Sequence, residues 1–263
     1  MTIENKKQMK IIKIGGNIIN NQRALENFLT NFHQIEGPKI LVHGGGEIAS
    51  KLAKELNIPV QMIDGRRVTN QANLDIITMV YAGKINKNIV AKLQANQINA
   101  LGLTGADAQT IVAQKRSSNP INFGYVGDAL KINTNTIELL LNHNITPVFC
   151  AITHDKNGDL LNTNADTIAS EIAIAFGKYY RTELYYCFDK QGVLKDINDP
   201  TSVIEKIHFK QYQQLKKRQI IFKGMIPKLD NCFHALQNNV SQVHIGTTEM
   251  LFNTTTHTTL QLQ

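Results

Sequence analysis

Apolar stretches of strand length alternate with amphipathic stretches of helical length along nearly the whole chain. Residues 10–14, 39–43 and 98–103 read as buried strands. The segments between them, 22–35, 47–56 and 71–96, place apolar residues at helical spacing. The rhythm resumes with a strand at 145–150, a helix at 165–177, a strand at 182–188, a helix at 225–239 and a strand at 241–246. Strands separated by helices pair in parallel, so the pattern predicts an α/β fold with a mostly parallel sheet and helices on both faces.

Two places break the rhythm. Residues 114–130, with Ser117-Ser118-Asn119-Pro120 between β-like flanks, predict a hairpin, and His154-Asp155-Lys156-Asn157-Gly158-Asp159 predicts a tight polar turn between strands. Both are placed to cover a site. Near the end, Thr254-Thr255-Thr256 and Thr258-Thr259 suggest a final strand. No long linker or low-complexity tract intervenes, so the expected lobes, 1–160 and 161–263, share one continuous sheet.

Composition narrows the class. The 263 residues are 42% hydrophobic and 19% charged, enough for a substantial core. The opening Met1-Thr2-Ile3-Glu4-Asn5-Lys6-Lys7 lacks an apolar leader, and no apolar run reaches the roughly 18 to 20 residues of a membrane span, so a cytoplasmic location is expected. Cys150, Cys187 and Cys232 show no C-x-x-C spacing and lie in apolar segments, as reduced packing residues do. The formal net charge of +7 favours anionic partners. Apart from Lys216-Lys217-Arg218 and Lys6-Lys7 the cations are scattered and not interleaved with aromatics, which points to small anions rather than nucleic acid.

The chemistry concentrates where strands end. Lys10-Ile11-Ile12-Lys13-Ile14 runs into Gly15-Gly16-Asn17, and Ile40-Leu41-Val42-His43 runs into Gly44-Gly45-Gly46. A strand that ends in a glycine turn and enters a helix leaves backbone N–H groups free, and with Lys13 behind them two such turns suit a phosphate. Close strand-to-helix packing is the other reason for glycine at either turn. The second turn also fits G-x-G-x-x-A through Ala49, with Asp64 about 20 residues on, as in nicotinamide-binding folds. There, however, the turn follows the first strand of its unit, and here an earlier strand already ends in glycines.

Four further segments carry polar groups at element boundaries. In Asp64-Gly65-Arg66-Arg67-Val68-Thr69 an arginine can fork onto a ligand carboxylate or pair with Asp64. In Asn162-Thr163-Asn164-Ala165-Asp166 alternate side chains can hold a polar ligand and orient a lysine, or simply cap the next helix. In Lys223-Gly224-Met225-Ile226-Pro227-Lys228 the proline suits a first helical turn, and Lys228 then sits where the helix dipole disfavours a cation unless an anion is bound. Phe188-Asp189-Lys190-Gln191-Gly192-Val193 sets Asp189 at the carboxyl end of a strand, on the rim where open α/β sheets bind ligands, or in a plain turn.

Taken in order, these segments resemble the amino-acid kinase family, most closely its acetylglutamate kinase branch, over nearly the whole chain. The resemblance implies a three-layer αβα sandwich around a mostly parallel sheet, with an N-terminal lobe that binds acyl-glutamate and dimerises, and a C-terminal lobe that binds ATP with Mg²⁺ carried by the nucleotide. It implies ATP-dependent phosphorylation of the γ-carboxylate of N-acetyl-L-glutamate, in arginine biosynthesis. Lys13, Lys228 and Asp166 become the catalytic set, with Asp166 holding both lysines and Asp189 helping to position the first. Gly15, Gly16, Gly44 and Gly45 cradle the phosphoryl group and the attacking carboxylate. Arg67 and Asn162 grip the amino-acid portion, supported by Asn164. No protein ligand for the metal is expected.

This chain departs from the family at three places. Arg66 stands where relatives have an uncharged residue near the acetyl methyl group, which raises N-succinyl-L-glutamate as a substrate contacting Arg66; solvent or Asp64 would occupy that arginine otherwise. Lys190-Gln191 replaces smaller residues beside the nucleotide. About nine residues precede the first strand, too few for the helix that builds arginine-sensitive hexamers, so a dimer without strong arginine inhibition is expected. A nicotinamide-dependent oxidoreductase and a non-catalytic nucleotide or metabolite sensor are the alternative classes. Titration with NADH against Mg-ATP, and an ADP-release assay, separate the three.

Overall fold

The computed structural model describes residues 6–196, 198–218, 220–221, 225–252 and 255–263. Its spine is β1 (Gln8–Ile14), where Met9, Ile11, Ile12 and Ile14 are all fully buried. Burial on both faces of one strand requires a layer on each side. The chain continues through α1 (Gly16–Asn20), α2 (Gln22–Asn31), β2 (Lys39–His43) and α3 (Gly46–Glu55), then a small ribbon of β3 (Gln61–Ile63) and β4 (Arg66–Val68). Next come α4 (Gln71–Thr78), α5 (Asn86–Ala95), β5 (Ala100–Leu103), β6 (Ile111–Lys115), β7 (Gly127–Ile132), α6 (Thr134–Asn142) and β8 (Thr146–Cys150). The second half holds β9 (Ile152–His154), β10 (Leu160–Asn162), α7 (Ala165–Gly177), β11 (Arg181–Cys187), β12 (Lys206–His208), α8 (Phe209–Lys217), α9 (Ile226–Gln237), β13 (Gln242–Gly246) and β14 (Thr258–Gln261).

The main sheet has eight strands in the order β12-β14-β13-β11-β1-β2-β8-β5. All neighbours pair in parallel except β13 with β14. Register aligns the carboxyl ends: Ile14 lies beside Cys187 and His43, Cys187 beside Gly246, and His43 beside Cys150. Whatever follows these residues therefore meets on one rim. Side chains alternate across a strand, so Lys13 and Ile14 point to opposite faces. The Lys13 face is covered by α7, which packs on β1, β2 and β11 and against α9; the Ile14 face carries α5, which packs on β5, β8 and α2. This is the three-layer αβα sandwich that the resemblance implies, with helices on both faces as the alternating pattern predicts.

A four-stranded sheet, β10-β9-β6-β7, stands apart from the main one. The hairpin expected at 114–130 is its β6 and β7, an antiparallel pair that starts earlier and ends later, at Ile111 and Ile132. The turn at 154–159 joins β9 to β10, with the Asp155 carboxylate accepting from the amides of Asn157 and Asp159. Asparagine side chains cap the starts of α2, α4, α6 and α7, at Asn21, Asn70, Asn133 and Asn164.

Some elements differ from expectation. The helix expected over 71–96 is α4 and α5 joined by a π-helical turn, Met79–Ile85. Helix α6 is absent from the expected elements; of its nine residues only Ile137 is buried. Helix α8 is likewise absent from the expected elements; it buries Tyr212, with Phe209 and Leu215 half-buried against the core on the same stripe. Of the expected final strand, Thr258 and Thr259 lie in β14, whereas Thr254 falls outside the described residues. All three cysteines are free and buried, and burial pushes their thiols up, Cys150 to about 12. Among the described residues no helix is long and apolar enough to cross a membrane.

Candidate active site

On the rim, one carboxylate holds two cations. Lys13 leaves β1 toward α7 and its Nζ lies 2.7 Å from Asp166 Oδ1; Lys228, in the first turn of α9, places its Nζ 3.0 Å from Asp166 Oδ2. The three side chains are only 13 to 21% exposed. Burial by itself raises the Asp166 carboxyl, but the ammonium groups of Lys13 and then Lys228 outweigh it and hold the group well below the usual carboxylate range. Asp166 stands in the first turn of α7, where the helix dipole also favours an anion. Tyr186 backs the cluster: its hydroxyl donates to the Asp166 carbonyl at 3.0 Å, and its ring lies 5.0 Å from Lys228 Nζ.

Two positive charges against one negative leave a surplus of +1 beside the glycine turns. Asn164 caps α7, accepting from the amides of Asp166 at 2.7 Å and Thr167 at 3.2 Å. The cap reading thus holds for Asn164, and it is this cap that sets the orientation of Asp166. Pro227 occupies the first turn of α9 as expected. Lys223 and Gly224 of the same segment fall outside the described residues.

The two glycine turns use their amides differently. The Gly15 N–H donates to the Cys187 carbonyl at 2.9 Å, tying β1 to β11 rather than facing a ligand. The amides of Gly16 and Asn17 have no protein partner among the described residues. In the second turn the amides of Gly44, Gly45 and Gly46 likewise have no protein partner among the described residues. Gly45 has φ +155°, and a Cβ there would lie 2.2 Å from Ile85 Cδ1, so only glycine fits. His43, just before, is fully buried.

A second cationic centre lies beside α3. Arg67, 8% exposed, donates from its Nη2 to the Gly46 carbonyl at 2.9 Å and to the Ser50 hydroxyl, and from Nη1 to Asn73 Oδ1 at 3.4 Å. Every partner is neutral, and no carboxylate pairs with it among the described residues. Burial presses the guanidinium down from its ordinary value, yet it stays charged at neutral pH. Asn162 donates from Nδ2 to Thr69 Oγ1 at 3.0 Å, joining β10 to the end of the Arg67 strand.

Arg66 does not join this centre. It neighbours Arg67 on β4, so its side chain takes the opposite face, and it is exposed without an ion pair to Asp64. Asp189 stands on the rim as expected, but it is exposed and makes no ion pair with Lys13, whose ion partner is Asp166. Among the described residues no group of three or more His, Cys, Asp or Glu side chains could hold a metal. Sequence reasoning missed Tyr186, Ser50, Tyr81 and Asn86, which surround the two cationic centres and the second turn. None lies in a glycine turn or in the other boundary segments that such reasoning used; Asn86 does begin α5, but within a stretch that reads as one continuous helix.

Comparison with known proteins agrees with this geometry. The family model for the amino acid kinase family matches residues 8–247. An acetylglutamate kinase of Cytophaga hutchinsonii is 51% identical over 245 residues, 93% of each chain. One of Phocaeicola vulgatus is 47% identical, covering 91% of this chain and 93% of its own. The crystal structure of smu.665 from Streptococcus mutans superposes with a TM-score of 0.78 at 28% identity, covering 97% of this chain and 99% of the other.

Proposed function

The chain belongs to the amino acid kinase family, and from that premise we propose that it transfers the γ-phosphoryl group of ATP to the γ-carboxylate of N-acetyl-L-glutamate, giving the acyl phosphate and ADP. The observation that carries this reading is the convergence of Lys13 and Lys228, 215 residues apart in sequence (228 − 13), on the single carboxylate of Asp166.

The reaction needs no general base, since the attacking carboxylate is already ionised at neutral pH. Its barrier lies in bringing two anions together and in stabilising charge on the moving phosphoryl group. Lys13 and Lys228 supply cations from opposite flanks, held in place beforehand by Asp166 so that little reorganisation remains at the moment of transfer. The open amides of Gly16, Gly44 and Gly45 offer hydrogen bonds to the phosphoryl and carboxylate oxygens. Gly15 contributes by fixing β1 against β11. Arg67 binds the α-carboxylate, the anion that its lone buried charge lacks. Asn162, anchored on Thr69, lines the same pocket, and Asp189 faces the nucleotide from the rim.

Mg²⁺ carried by the nucleotide would neutralise phosphate charge there; both oxygens of Asp166 already face lysines, so that carboxylate would be left holding Lys13 and Lys228 rather than the metal. Residues 1–160 form the acyl-glutamate and dimerisation lobe and 161–263 the nucleotide lobe, and the chain acts as a homodimer in the cytoplasm.

Trapping the acyl phosphate with hydroxylamine, alongside ADP release, tests the assignment directly. Product is expected with N-acetyl-L-glutamate and ATP, and Lys13→Ala or Lys228→Ala is expected to lower turnover by roughly 10² to 10³. Near-normal turnover in either variant would remove the basis of the proposal.

A further inference from the structure

The second glycine turn is gripped by side chains that the scheme above leaves without a task. They come from one place, the π-helical turn Met79–Ile85 and the residue that follows it. Tyr81 and Ile85 wall in Gly45: a Cβ there would meet Tyr81 Cδ1 at 3.0 Å and Ile85 Cδ1 at 2.2 Å. Asn86, 1% exposed, sends its Nδ2 to Val148 O at 2.9 Å and to His43 Nε2 at 3.0 Å. Its amide orientation is set twice over. The Val148 carbonyl needs a donor, and Lys87 Nζ, 3.3 Å from Asn86 Oδ1, needs an acceptor.

An amide nitrogen only donates, so His43 Nε2 must accept and carries no hydrogen. The ring hydrogen therefore sits on Nδ1, which lies 2.8 Å from the Gly44 carbonyl oxygen and donates to it. The ring is fully buried, and burial pushes its pKa down to about 4, in keeping with a neutral imidazole. A trans peptide is planar and points its C=O and N–H in opposite directions. Anchoring the Gly44 carbonyl on one side thus aims the Gly45 N–H at the other. Between two glycines that peptide would otherwise turn over at little steric cost.

We propose that His43 is a positioning residue for phosphoryl transfer: it holds the Gly44 carbonyl so that the Gly45 amide faces the reacting oxygens, and Asn86 selects the ring tautomer that can do so. The proposal rests on the kinase reading, and it explains why a fully buried histidine precedes the turn. The π-helical turn is what brings Tyr81, Ile85 and Asn86 to the same peptide.

Three substitutions at one position separate positioning from packing. The amide nitrogen of His43→Asn falls near the place of Nδ1 and restores the donor to Gly44. His43→Gln instead reaches the place of Nε2 and lacks that donor, and His43→Leu lacks both. In full-length enzyme, His43→Gln and His43→Leu are expected to lose about 10²-fold in kcat, the cost of a misplaced reacting group. KM for both substrates should move less than about threefold, and His43→Asn should recover to within about fivefold of wild type. A purely structural role predicts instead that kcat follows Tm in all three, with no rescue by asparagine, and that outcome overturns the proposal. Nitrogen-15 NMR of histidine-labelled wild type needs no variant: the His43 resonances are expected to report Nδ1–H, and an Nε2–H tautomer would refute the assignment. Absence of product from wild type would count against the kinase reading, whereas full turnover in His43→Gln would count against His43 alone.

Discussion

Two cationic centres flank the glycine turns, and they are built on opposite principles. Lys13 and Lys228 share the carboxylate of Asp166, so their charge is partly neutralised and their positions are set by ion pairs of 2.7 and 3.0 Å. Arg67 is more deeply buried yet, among the described residues, meets only neutral acceptors, Gly46, Ser50 and Asn73. Two lysines close together repel, so an anion must hold them until the phosphates arrive. One arginine has no such conflict, and a resident carboxylate would compete with the substrate's own. The difference between them is between a cluster that must be pre-assembled and a charge that must be kept free.

Asp166→Asn is the severest way to break this contrast. It leaves two ammonium groups facing each other with no charge between them, and turnover is expected to fall by roughly 10² to 10³. Stability should drop by roughly 1–3 kcal/mol, the expected sign for removing one partner of a largely buried ion pair. Chemical denaturation of the variant checks the second point, and an unchanged midpoint would mean that the lysines do not need their anion.

Arg67→Met should behave in the opposite way. KM for N-acetyl-L-glutamate is expected to rise about 10- to 100-fold, equivalent to a lost charge-assisted hydrogen bond, with KM for ATP unmoved. The midpoint of unfolding should stay level or rise, because the lone buried guanidinium leaves no unpaired carboxylate behind. Loss of stability comparable to that of Asp166→Asn would show that the neutral acceptors balance the arginine more fully than their chemistry suggests.

Acid titration separates the carboxylate from the buried histidines. The Asp166 pKa is depressed in the fold, so its stabilising contribution is complete above its ordinary value of 3.8 and disappears as the pH falls below it. Burial lowers His43 and His244 from 6.5 to about 4, so the unfolded chain binds more protons between those values and stability falls as pH drops through that window. Wild-type Tm is therefore expected to decline from pH 6.5 to 4 on account of the histidines, and further below 4 on account of Asp166. His43→Asn should flatten the first decline by up to about 3 kcal/mol and leave the second.

The sequence made the rim legible because each of its segments has a local signature. Strand-glycine-helix boundaries located Lys13 and both turns, and the asparagine before α7 and the proline in α9 located Asp166 and Lys228. What stayed hidden depends on contacts between distant elements. Nothing local says that the Gly15 amide is taken by Cys187, or that Asp189 makes no ion pair with Lys13. The π-helical turn has no signature in apolar spacing, so the helix over 71–96 read as uniform and the link from Asn86 to His43 was invisible. Helix α8 went unread for the opposite reason: its signature is local but slight, the stripe of Phe209, Tyr212 and Leu215 in an otherwise polar segment.

The smallest expected effect concerns the residue next to Arg67. Consecutive residues of β4 point to opposite faces, so the same strand that buries one guanidinium presents the other, Arg66, to solvent. With no ion pair to Asp64, it contributes little to the fold, and Arg66→Leu should change stability by less than about 0.5 kcal/mol. Its value as a probe lies in specificity. If Arg66 stays outside the acyl pocket, Arg66→Leu leaves kcat/KM for N-acetyl-L-glutamate within about threefold of wild type, and it leaves the ratio of acetyl to succinyl substrate alone. That is the outcome the opposed faces predict. A variant that kept the acetyl substrate but lost tenfold or more on N-succinyl-L-glutamate would show that a longer, carboxylate-ended acyl chain reaches around the strand edge to Arg66. In that event the strand carries two anion sites, one on each face, and the contrast between a reserved and a neutralised charge extends to a third centre.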